Sequence, residues 1–388
     1  MGNVSLKILV VIEKNTWMDI HLANSLESMG HIVTRFYYGD CIGEFYGVSR
    51  HNERKKKNNS LFNLVKNLKK EQDLNLIFCC VYDDFLLPKY AKALSMLNIP
   101  MVNYNVDMPT HWFRQIRTAK YFDIVLCAHQ NNMGHLKKYA KKVLYFPMAA
   151  QQSHLIYTAS QLEKKYDVTF LGMAYPYRQQ ILSELIKSDI PLFIFGKNWN
   201  SDQSNVYVKN ISETLYYMFH YAWPRFKAEG LISLWKAFLN RFCLKHDTKP
   251  IPFIPQKAIK GVLSQTELSA LFYQSKINIG FTRYANFHHN KPGQCQMKLR
   301  DFEVPMAGGF YLVEKAPGYE QEFIDGEEVV TWKTTADLLE KIRYYLKHDI
   351  ERDAIALRGQ KRALQDHTWE KRFNILFVEL GFLNKNGG

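Results

Sequence analysis

The feature of this 388-residue chain that most constrains its fold is the repeated alternation of short apolar runs with amphipathic segments. The first example is an apolar run at residues 6–12, a polar loop, an amphipathic stretch at 20–29 and a stop at Gly30. Continuous apolar runs between helical segments are typical of parallel strands that helices cover on both faces. The pattern therefore predicts an α/β fold.

The alternation occurs in two series, which suits a chain of this length because a single core rarely keeps growing beyond about 300 residues. The later strands of the first series are predicted at residues 32–37, 74–81, 101–105, 124–127 and 143–146. Those of the second series are predicted at 168–172, 192–196, 277–281 and 310–313. We expect two tandem Rossmann-like domains that face a cleft, with ligands beyond the carboxyl ends of the strands.

The predicted domains are residues 1–160 and residues 161–370, each Rossmann-like. The second is predicted to carry an amphipathic insertion at about 199–255, and residues 371–388 are predicted to form a tail helix.

The composition limits the possible partners and compartments. The formal charge of +14 indicates an anionic partner, but no helix-turn-helix, zinc module or aromatic RNA-binding signature favours nucleic acid. The six cysteines have no CxxC spacing, so we expect reduced thiols and no zinc site. We see neither a signal peptide nor an apolar run of about 18 or more residues, so we expect a cytoplasmic protein.

Two segments depart from the regular pattern. Residues 50–70 carry eight Lys or Arg and are predicted to be a mobile basic loop that leads into a helix. Residues 231–245 are predicted to form an aromatic and basic amphipathic helix. Such a helix can lie on an anionic membrane surface, which would make the protein peripheral on the inner face of the plasma membrane. It can equally pack over the cleft as a lid, or against a partner subunit.

The most informative short segment runs from Leu268 to Gly309. It contains no Asp or Glu before Asp301, yet it carries five Lys or Arg and ends in a glycine pair. Cationic side chains suit phosphates, and a carboxylate that accepts two hydrogen bonds suits the vicinal hydroxyls of a ribose. The segment therefore favours a sugar nucleotide, whereas the alternative is a helix start with a solvated charged face.

Several ordered motifs together resemble the CgeB-like glycosyltransferases, which are named for a spore maturation protein and are related to the two-domain transferases of the GT-B fold. The motifs are YDVTFLG (166–172), YR (177–178), FGKNW (195–199), KLRDFEVPMAGG (298–309) and HTW (367–369) followed by Arg372. The resemblance covers roughly residues 165–375 and is weaker upstream, where residues 103–107 and 121–123 also match.

This resemblance implies that a nucleotide-sugar donor binds to the second domain, residues 161–370, and the acceptor to the first, residues 1–160. Glu303 would bind the ribose hydroxyls, and Gly308 and Gly309 would let the backbone approach the ligand. The remaining implied donor-site residues are Lys298, Arg300, Arg283, Gly172 and Arg178. Lys197 and Trp199 follow another strand end, where the base could stack.

One departure from the related retaining transferases is Cys295, which occupies a position where many of them carry a second glutamate. Gln294, Gln296, His288 and His289 are the candidates for holding the donor sugar instead, and the stereochemical outcome is left open. Adjacent histidines rarely coordinate one ion well, so we expect phosphate contacts from His288 and His289, no metal and no other cofactor.

Sugar transfer by inversion needs a base that takes the acceptor proton. Asp107 follows a predicted strand and lies near His111, and Asp19 is predicted in the loop after the first strand. These three are the catalytic candidates, and each Asp could instead cap a helix or turn. Asp83 and Asp84 are weaker candidates.

The sequence thus predicts a glycosyltransferase that moves a sugar from a nucleotide-diphosphate donor to a glycan or lipid-linked acceptor in cell-surface polysaccharide or glycoconjugate synthesis. The alternative is a non-catalytic protein that binds a sugar nucleotide or a membrane.

Overall fold

The computed structural model describes residues 5–14, 16–39, 51–152, 163–199, 222–231, 252–283 and 295–384. The predicted amphipathic helix at 231–245 lies outside these residues except for Leu231, and so do His288, His289 and Gln294.

The first described sheet has six strands, all paired in parallel, in the order β2-β1-β3-β4-β5-β6. Its strands are β1 (Lys7–Ile12), β2 (Ile32–Tyr37), β3 (Leu76–Cys79), β4 (Met101–Asn105), β5 (Ile124–Cys127) and β6 (Val143–Tyr145). Every residue of β3, β4 and β5 is buried, as expected for strands that helices cover on both faces.

The second described sheet also has six parallel strands, in the order β12-β11-β10-β7-β8-β9. They are β7 (Tyr166–Leu171), β8 (Leu192–Phe195), β9 (Ile259–Gly261), β10 (Ser275–Gly280), β11 (Tyr311–Glu314) and β12 (Val330–Trp332). The strand order reverses between β7 and β10, which is the switch point where doubly wound sheets bind ligands. The predicted α/β fold with two Rossmann-like sheets is confirmed.

Helices connect these strands. The α-helices of the described residues are α1 (Asn24–Ser28), α2 (His51–Gln72), α3 (Pro88–Ser95), α4 (Met108–His111), α5 (Gln130–Leu136), α6 (Pro176–Lys187), α7 (Trp223–Glu229), α8 (Gln265–Gln274), α9 (Arg300–Met306), α10 (Thr335–Tyr345), α11 (Asp349–Asp366) and α12 (Trp369–Glu379). No helix among them combines the length and apolarity that crossing a bilayer requires.

The described residues divide into two compact units, each with its own core. The first unit takes the chain up to Pro147, residues 222–231 and the chain from Trp369, and the second takes the rest. The prediction instead placed the insertion at about 199–255 in the second domain. Residues 222–231 group with the first unit because Ala228 packs on its core and Arg225 lies 5.8 Å from the centre of the Phe113 ring.

The C-terminal helix α12 also belongs to the first unit. It begins at Trp369, two residues before the predicted tail helix, and ends at Glu379. Its aromatic side chains explain the grouping, because the ring centre of Trp369 lies 6.1 Å from that of Tyr104, and Phe373 lies 5.6 Å from Phe78.

The prediction of a mobile basic loop within residues 50–70 is wrong for its described part, which is helical from His51. The buried stripe of α2 continues from Val65 and Leu61 back through two polar residues, Asn58 and Arg54, at helical spacing. Arg54 donates to the Asp84 carbonyl at 2.9 Å, and Asn58 donates to the Phe85 carbonyl at 2.9 Å. These bonds give both buried polar side chains a hydrogen-bond partner, so an apolar pattern is not needed there.

Candidate functional site

A cavity of about 150 Å³ lies in the second unit at the carboxyl ends of β7 and β10, where the strand order reverses. Its walls come from strands β7, β10 and β11, from α8, and from residues around α6 and α9. Its lining includes Thr169, Gly172, Arg178, Asn278, Phe281, Lys298, Arg300, Asp301 and Tyr311. Four of the predicted donor-site residues, namely Gly172, Arg178, Lys298 and Arg300, therefore come together here.

Arg178 lies in the first turn of α6 and is only 9% exposed. Its Nη1 donates to the Met173 carbonyl at 3.0 Å, and its guanidinium lies 4.7 Å from the centre of the Tyr175 ring. Burial lowers the pKa of this guanidinium. No carboxylate of the described residues lies within salt-bridge distance of Arg178. Glu314 attracts this cation from beyond salt-bridge distance. The protein therefore keeps a costly buried cation in the cavity wall without a directly paired carboxylate among the described residues.

Lys298 also lines the cavity, and its Nζ donates to the carbonyls of Phe281 at 2.7 Å and Arg283 at 3.0 Å. Burial, followed by repulsion from Arg178, lowers the pKa of Lys298. The single acid in the lining, Asp301, accepts from the Lys298 backbone N–H at 2.6 Å, and burial raises its pKa. Lys298 thus fixes the chain after β10 and adds a second cation to the cavity.

Arg300 is the third cation of the lining, and it forms an ion pair with Glu303 one turn further along α9. Burial lowers the pKa of Arg300 to about 10. Glu303 itself is 1% exposed and is not part of the lining. In this structure Glu303 is a buried partner of Arg300, and its predicted contact with a ribose stays a prediction.

Gly172 stands at the end of β7, where the chain passes very close to its neighbours. A Cβ at this position would lie 2.7 Å from the Phe170 ring and 3.0 Å from Nη1 of Arg178. The Gly172 carbonyl accepts from the indole N–H of Trp199 at 2.9 Å. Trp199 is only 7% exposed, and its ring meets the Phe170 ring at 80°, so burial leaves little of the indole for the predicted base stacking.

We expect Gly172→Ala to lower the affinity for a phosphate-bearing ligand by about tenfold, because the new methyl group must displace the Arg178 guanidinium or the Phe170 ring. Titration calorimetry with a nucleoside diphosphate measures the affinity of the variant and of the wild type. Gly134→Ala is the matched control, because a Cβ there meets nothing within 4 Å and Gly134 lies in α5. Equal affinity of both variants would show that Gly172 has no role in placing Arg178.

Gly308 and Gly309 follow α9, and neither lines the cavity. Gly308 has φ of +76°, a conformation that suits glycine at a helix end. A Cβ at Gly309 would lie 2.7 Å from the Phe272 carbonyl oxygen. The protein itself therefore requires both glycines, and the predicted close approach to a ligand stays a prediction.

Sequence reasoning missed Glu314, the last residue of β11, which is buried. Its Oε1 accepts from the Tyr177 hydroxyl at 2.5 Å and pairs with Nε of Arg283 at 2.7 Å. Its Oε2 accepts from the backbone N–H groups of Thr282 and Arg283 at 3.2 and 3.1 Å. Glu314 thereby ties β11, α6 and the chain after β10 together.

Arg283 is consequently engaged with Glu314 rather than pointing into the 150 Å³ cavity. It lines a wider cavity of about 440 Å³ at the ends of β11 and β12, together with Glu314, Lys315, Glu320, Trp332 and Lys333. A signal for Glu314 was present in the sequence, because the acid directly follows a predicted buried strand at 310–313.

The three catalytic candidates belong to the first unit. Asp107 follows β4, is partly exposed, and accepts through its backbone carbonyl from the His111 N–H at 2.9 Å. Burial lowers the pKa of His111 to about 3, and the charges of Arg114 and Arg225 add to this effect. An imidazole with so low a pKa is a weak base at neutral pH.

Asp19 does not lie in a loop, as the sequence predicted, but in a π-helical turn, Asp19–Ala23. Its Oδ1 pairs with Nε of Arg35 at 2.8 Å, and its Oδ2 accepts from the Tyr37 hydroxyl at 2.9 Å. Both carboxylate oxygens therefore fasten the turn to β2, which leaves Asp19 poorly suited to accept a substrate proton.

Asp83 and Asp84 have structural partners as well. Asp83 accepts from the backbone N–H groups of Arg117 and Thr118 at 2.9 and 3.1 Å, and burial raises its pKa to about 7. Asp84 pairs with Nη2 of Arg114 at 2.6 Å. Within the described ranges, no group of three His, Cys, Asp or Glu side chains is placed to hold a metal ion.

Comparison with known proteins identifies the family. Residues 178–377, more than half of the chain, match the glycosyl transferase-like family, and this match includes Arg178, Lys298, Arg300 and Glu314. No curated protein sequence matches the chain.

Solved structures share the fold at low sequence identity. Sucrose-phosphate synthase from Thermosynechococcus elongatus is 10% identical with a TM-score of 0.59, and the match covers 97% of this chain and 99% of that one. HepE from Anabaena is 12% identical with a TM-score of 0.58, and the match covers 97% of this chain and 100% of HepE. A glycosyltransferase from Rickettsia africae is 11% identical with a TM-score of 0.56, and the match covers 99% of this chain and 100% of that one. The family match and the two parallel sheets lead to one conclusion: this chain belongs to the glycosyl transferase-like family and is a glycosyltransferase.

Proposed function

We propose that the 150 Å³ cavity of the second unit binds the diphosphate group of a nucleotide-sugar donor. The observation that carries this proposal is Arg178, a buried cation that faces the cavity and that no carboxylate of the described residues contacts. Burying a lone charge costs several kcal/mol, so its retention favours a function that needs it. An anionic ligand supplies the missing partner.

The charges around Arg178 suit a diphosphate better than a single carboxylate. Lys298 and Arg300 share the cavity wall with Arg178, and Asp301 is the one acid of the lining. Three cations at the switch point of the sheet can neutralise two linked phosphates and stabilise the leaving nucleoside diphosphate. We propose that they replace a divalent metal ion, so that transfer is metal-independent.

Uridine nucleotides are the first donors to test. HepE, which shares the fold, is known in complex with UDP, with UDP and glucose, and with UDP-glucose. The motif at 298–309 further supports a CgeB-like transferase in which Glu303 leaves Arg300 and binds the ribose. His288 and His289 remain proposed phosphate contacts.

For the catalytic base we propose Asp107. Asp19 is fastened to Arg35 and Tyr37, and the low pKa of His111 makes it a weak base. Asp107 is partly exposed at the carboxyl edge of the first sheet, and none of the ion pairs between described residues involves it. The acceptor is proposed to be a glycan or lipid-linked glycan, used by a cytoplasmic enzyme at a membrane surface.

We expect Asp107→Asn to lower kcat by at least about 100-fold and to leave the KM for the donor within about twofold, because a general base acts in the transition state. The assay is nucleotide release from UDP-sugars with water as the acceptor. Asp19→Asn is the control and should keep the wild-type kcat.

An unchanged kcat in Asp107→Asn would remove Asp107 from the chemistry. Tight nucleotide binding by the wild type without turnover of any donor would favour the non-catalytic alternative.

A further inference from the structure

Helices α2 and α3 of the first unit carry a one-sided array of lysines that the donor site does not use. We call this array the lysine face. It consists of Lys55, Lys66, Lys69 and Lys70 of α2 and Lys89 and Lys92 of α3, all of them exposed. The 22 residues of α2 span about 33 Å, so the array is large enough to meet an extended anionic surface.

Helix geometry separates the charges of α2. Lys55 and Lys66 are eleven residues apart and Lys66 and Lys70 are four apart, so the three lie on one flank. The two acids of α2, Glu53 and Glu71, are eighteen residues apart and share a different flank. The lysine face is therefore not balanced by acids of its own helix.

Contacts between the two helices place the lysines of α3 beside those of α2. The Tyr90 hydroxyl donates to Oδ1 of Asn59 at 2.6 Å, and Nζ of Lys69 donates to the Leu97 carbonyl at 2.6 Å. Desolvation lowers the pKa of His51, the first residue of α2, and the charges of Lys55, Arg54 and Lys89 lower it further. Lys89 of α3 therefore lies near the start of α2.

An apolar side chain extends the lysine face. Met96 at the end of α3 is 70% exposed, and its backbone N–H donates to the Lys92 carbonyl at 3.2 Å. Lysines beside an exposed apolar side chain are typical of surfaces that meet lipid headgroups and dip into the acyl boundary.

Nucleic acid fits this surface less well. The only arginine of α2 and α3, Arg54, is buried and donates to the Asp84 carbonyl. The aromatic rings of the two helices are also unavailable for base stacking, because Tyr90 is buried and Phe62 lies beneath Nζ of Lys66.

We propose that the lysine face and Met96 dock the first unit on an anionic membrane surface. The lysine face includes none of residues 231–245, and the proposal does not depend on the donor cavity. Each basic residue close to an anionic leaflet strengthens binding by about fivefold, so six of them form an effective electrostatic anchor.

The test is flotation with vesicles of phosphatidylcholine alone and with about 30% phosphatidylglycerol, at low salt and at about 0.15 M salt. The test variant changes Lys66, Lys70, Lys89 and Lys92 to Gln. The matched control changes four exposed lysines of the second unit to Gln, namely Lys187, Lys257, Lys347 and Lys361. Both variants lose the same charge.

We expect the wild type and the control to bind the anionic vesicles, and the test variant to bind at least about tenfold more weakly. Met96→Ser should weaken vesicle binding by about threefold at unchanged charge. Unchanged thermal midpoints and unchanged UDP binding show that the variants remain folded.

Two results would overturn the proposal. In the first, the test variant binds like the wild type, or the control loses binding equally, so that net charge alone matters. In the second, Met96→Ser has no effect and random oligonucleotides displace the protein from vesicles, which would assign the lysine face to nucleic acid.

Discussion

Arg178→Met is expected to lower the affinity for a nucleoside diphosphate by about 100-fold without lowering the stability of the free protein. A charge-assisted contact to phosphate contributes about 3 kcal/mol, which corresponds to this change in affinity. The stability should hold because the substitution removes a buried cation that no carboxylate of the described residues contacts, and methionine keeps most of the apolar stem.

The measurement combines calorimetric titration with thermal unfolding of the free protein. Arg343→Met is the matched control, since Arg343 is exposed on α10 of the same unit, and its one hydrogen bond to a described residue is a 3.5 Å contact to the Ser188 carbonyl. The control should bind like the wild type. A lower thermal midpoint for Arg178→Met with unchanged affinity would mean that Arg178 serves the fold rather than a ligand.

Glu314→Gln is expected to destabilise the second unit by about 2 to 3 kcal/mol. The carboxylate accepts from two backbone N–H groups and the Tyr177 hydroxyl, and it pairs with Arg283. The glutamine amide would replace one acceptor oxygen by an NH2 group, which would then face one of these hydrogen-bond donors. We place the value below the usual cost of breaking a fully buried pair because Arg283 is partly exposed.

Glu314→Gln should also weaken nucleoside diphosphate binding by about tenfold, because the chain after β10 provides the two carbonyls that hold Lys298. Denaturant unfolding and calorimetry give the two effects. Tyr177→Phe removes one hydrogen bond to Glu314 and should cost about 1 kcal/mol.

Glu320→Gln is the control for this pair of variants, because Glu320 is an exposed acid of the same wide cavity. Glu320→Gln should change neither the free energy of unfolding nor the affinity for the nucleoside diphosphate. If Glu314→Gln has the same free energy of unfolding as the wild type, the structural role that we assign to Glu314 is wrong.

The sequence predicted strands well where a local run of apolar residues corresponds to a buried strand. The apolar run Ile124–Cys127 predicted a strand at its observed bounds, because strands buried on both faces favour apolar side chains. Met101–Asn105 was also predicted at its observed bounds although it contains two buried asparagines, which both donate to the Val81 carbonyl. The sequence analysis missed the three-residue strands Ile259–Gly261 and Val330–Trp332. In the first of them, a lysine and a glycine interrupt the apolar pattern.

The site was less predictable because its contacts join distant parts of the chain. Arg178 and Lys298 were predicted from motifs, and the fold brings them to one cavity. The connection between Glu314 and Tyr177 spans 137 residues and leaves no local pattern. Asp19 appeared available in the sequence because its partners are the side chains of a neighbouring strand, Arg35 and Tyr37.

The most direct test of the donor site is a calorimetric titration of the wild type with nucleoside diphosphates (UDP, GDP, ADP, CDP and dTDP) and the matching monophosphates, with magnesium and with a chelator. We predict that one diphosphate binds at least about tenfold more tightly than its monophosphate, with or without metal, because the three cations of the cavity contact both phosphates. Equal affinity for the diphosphate and the monophosphate, or binding that requires magnesium, would contradict the account.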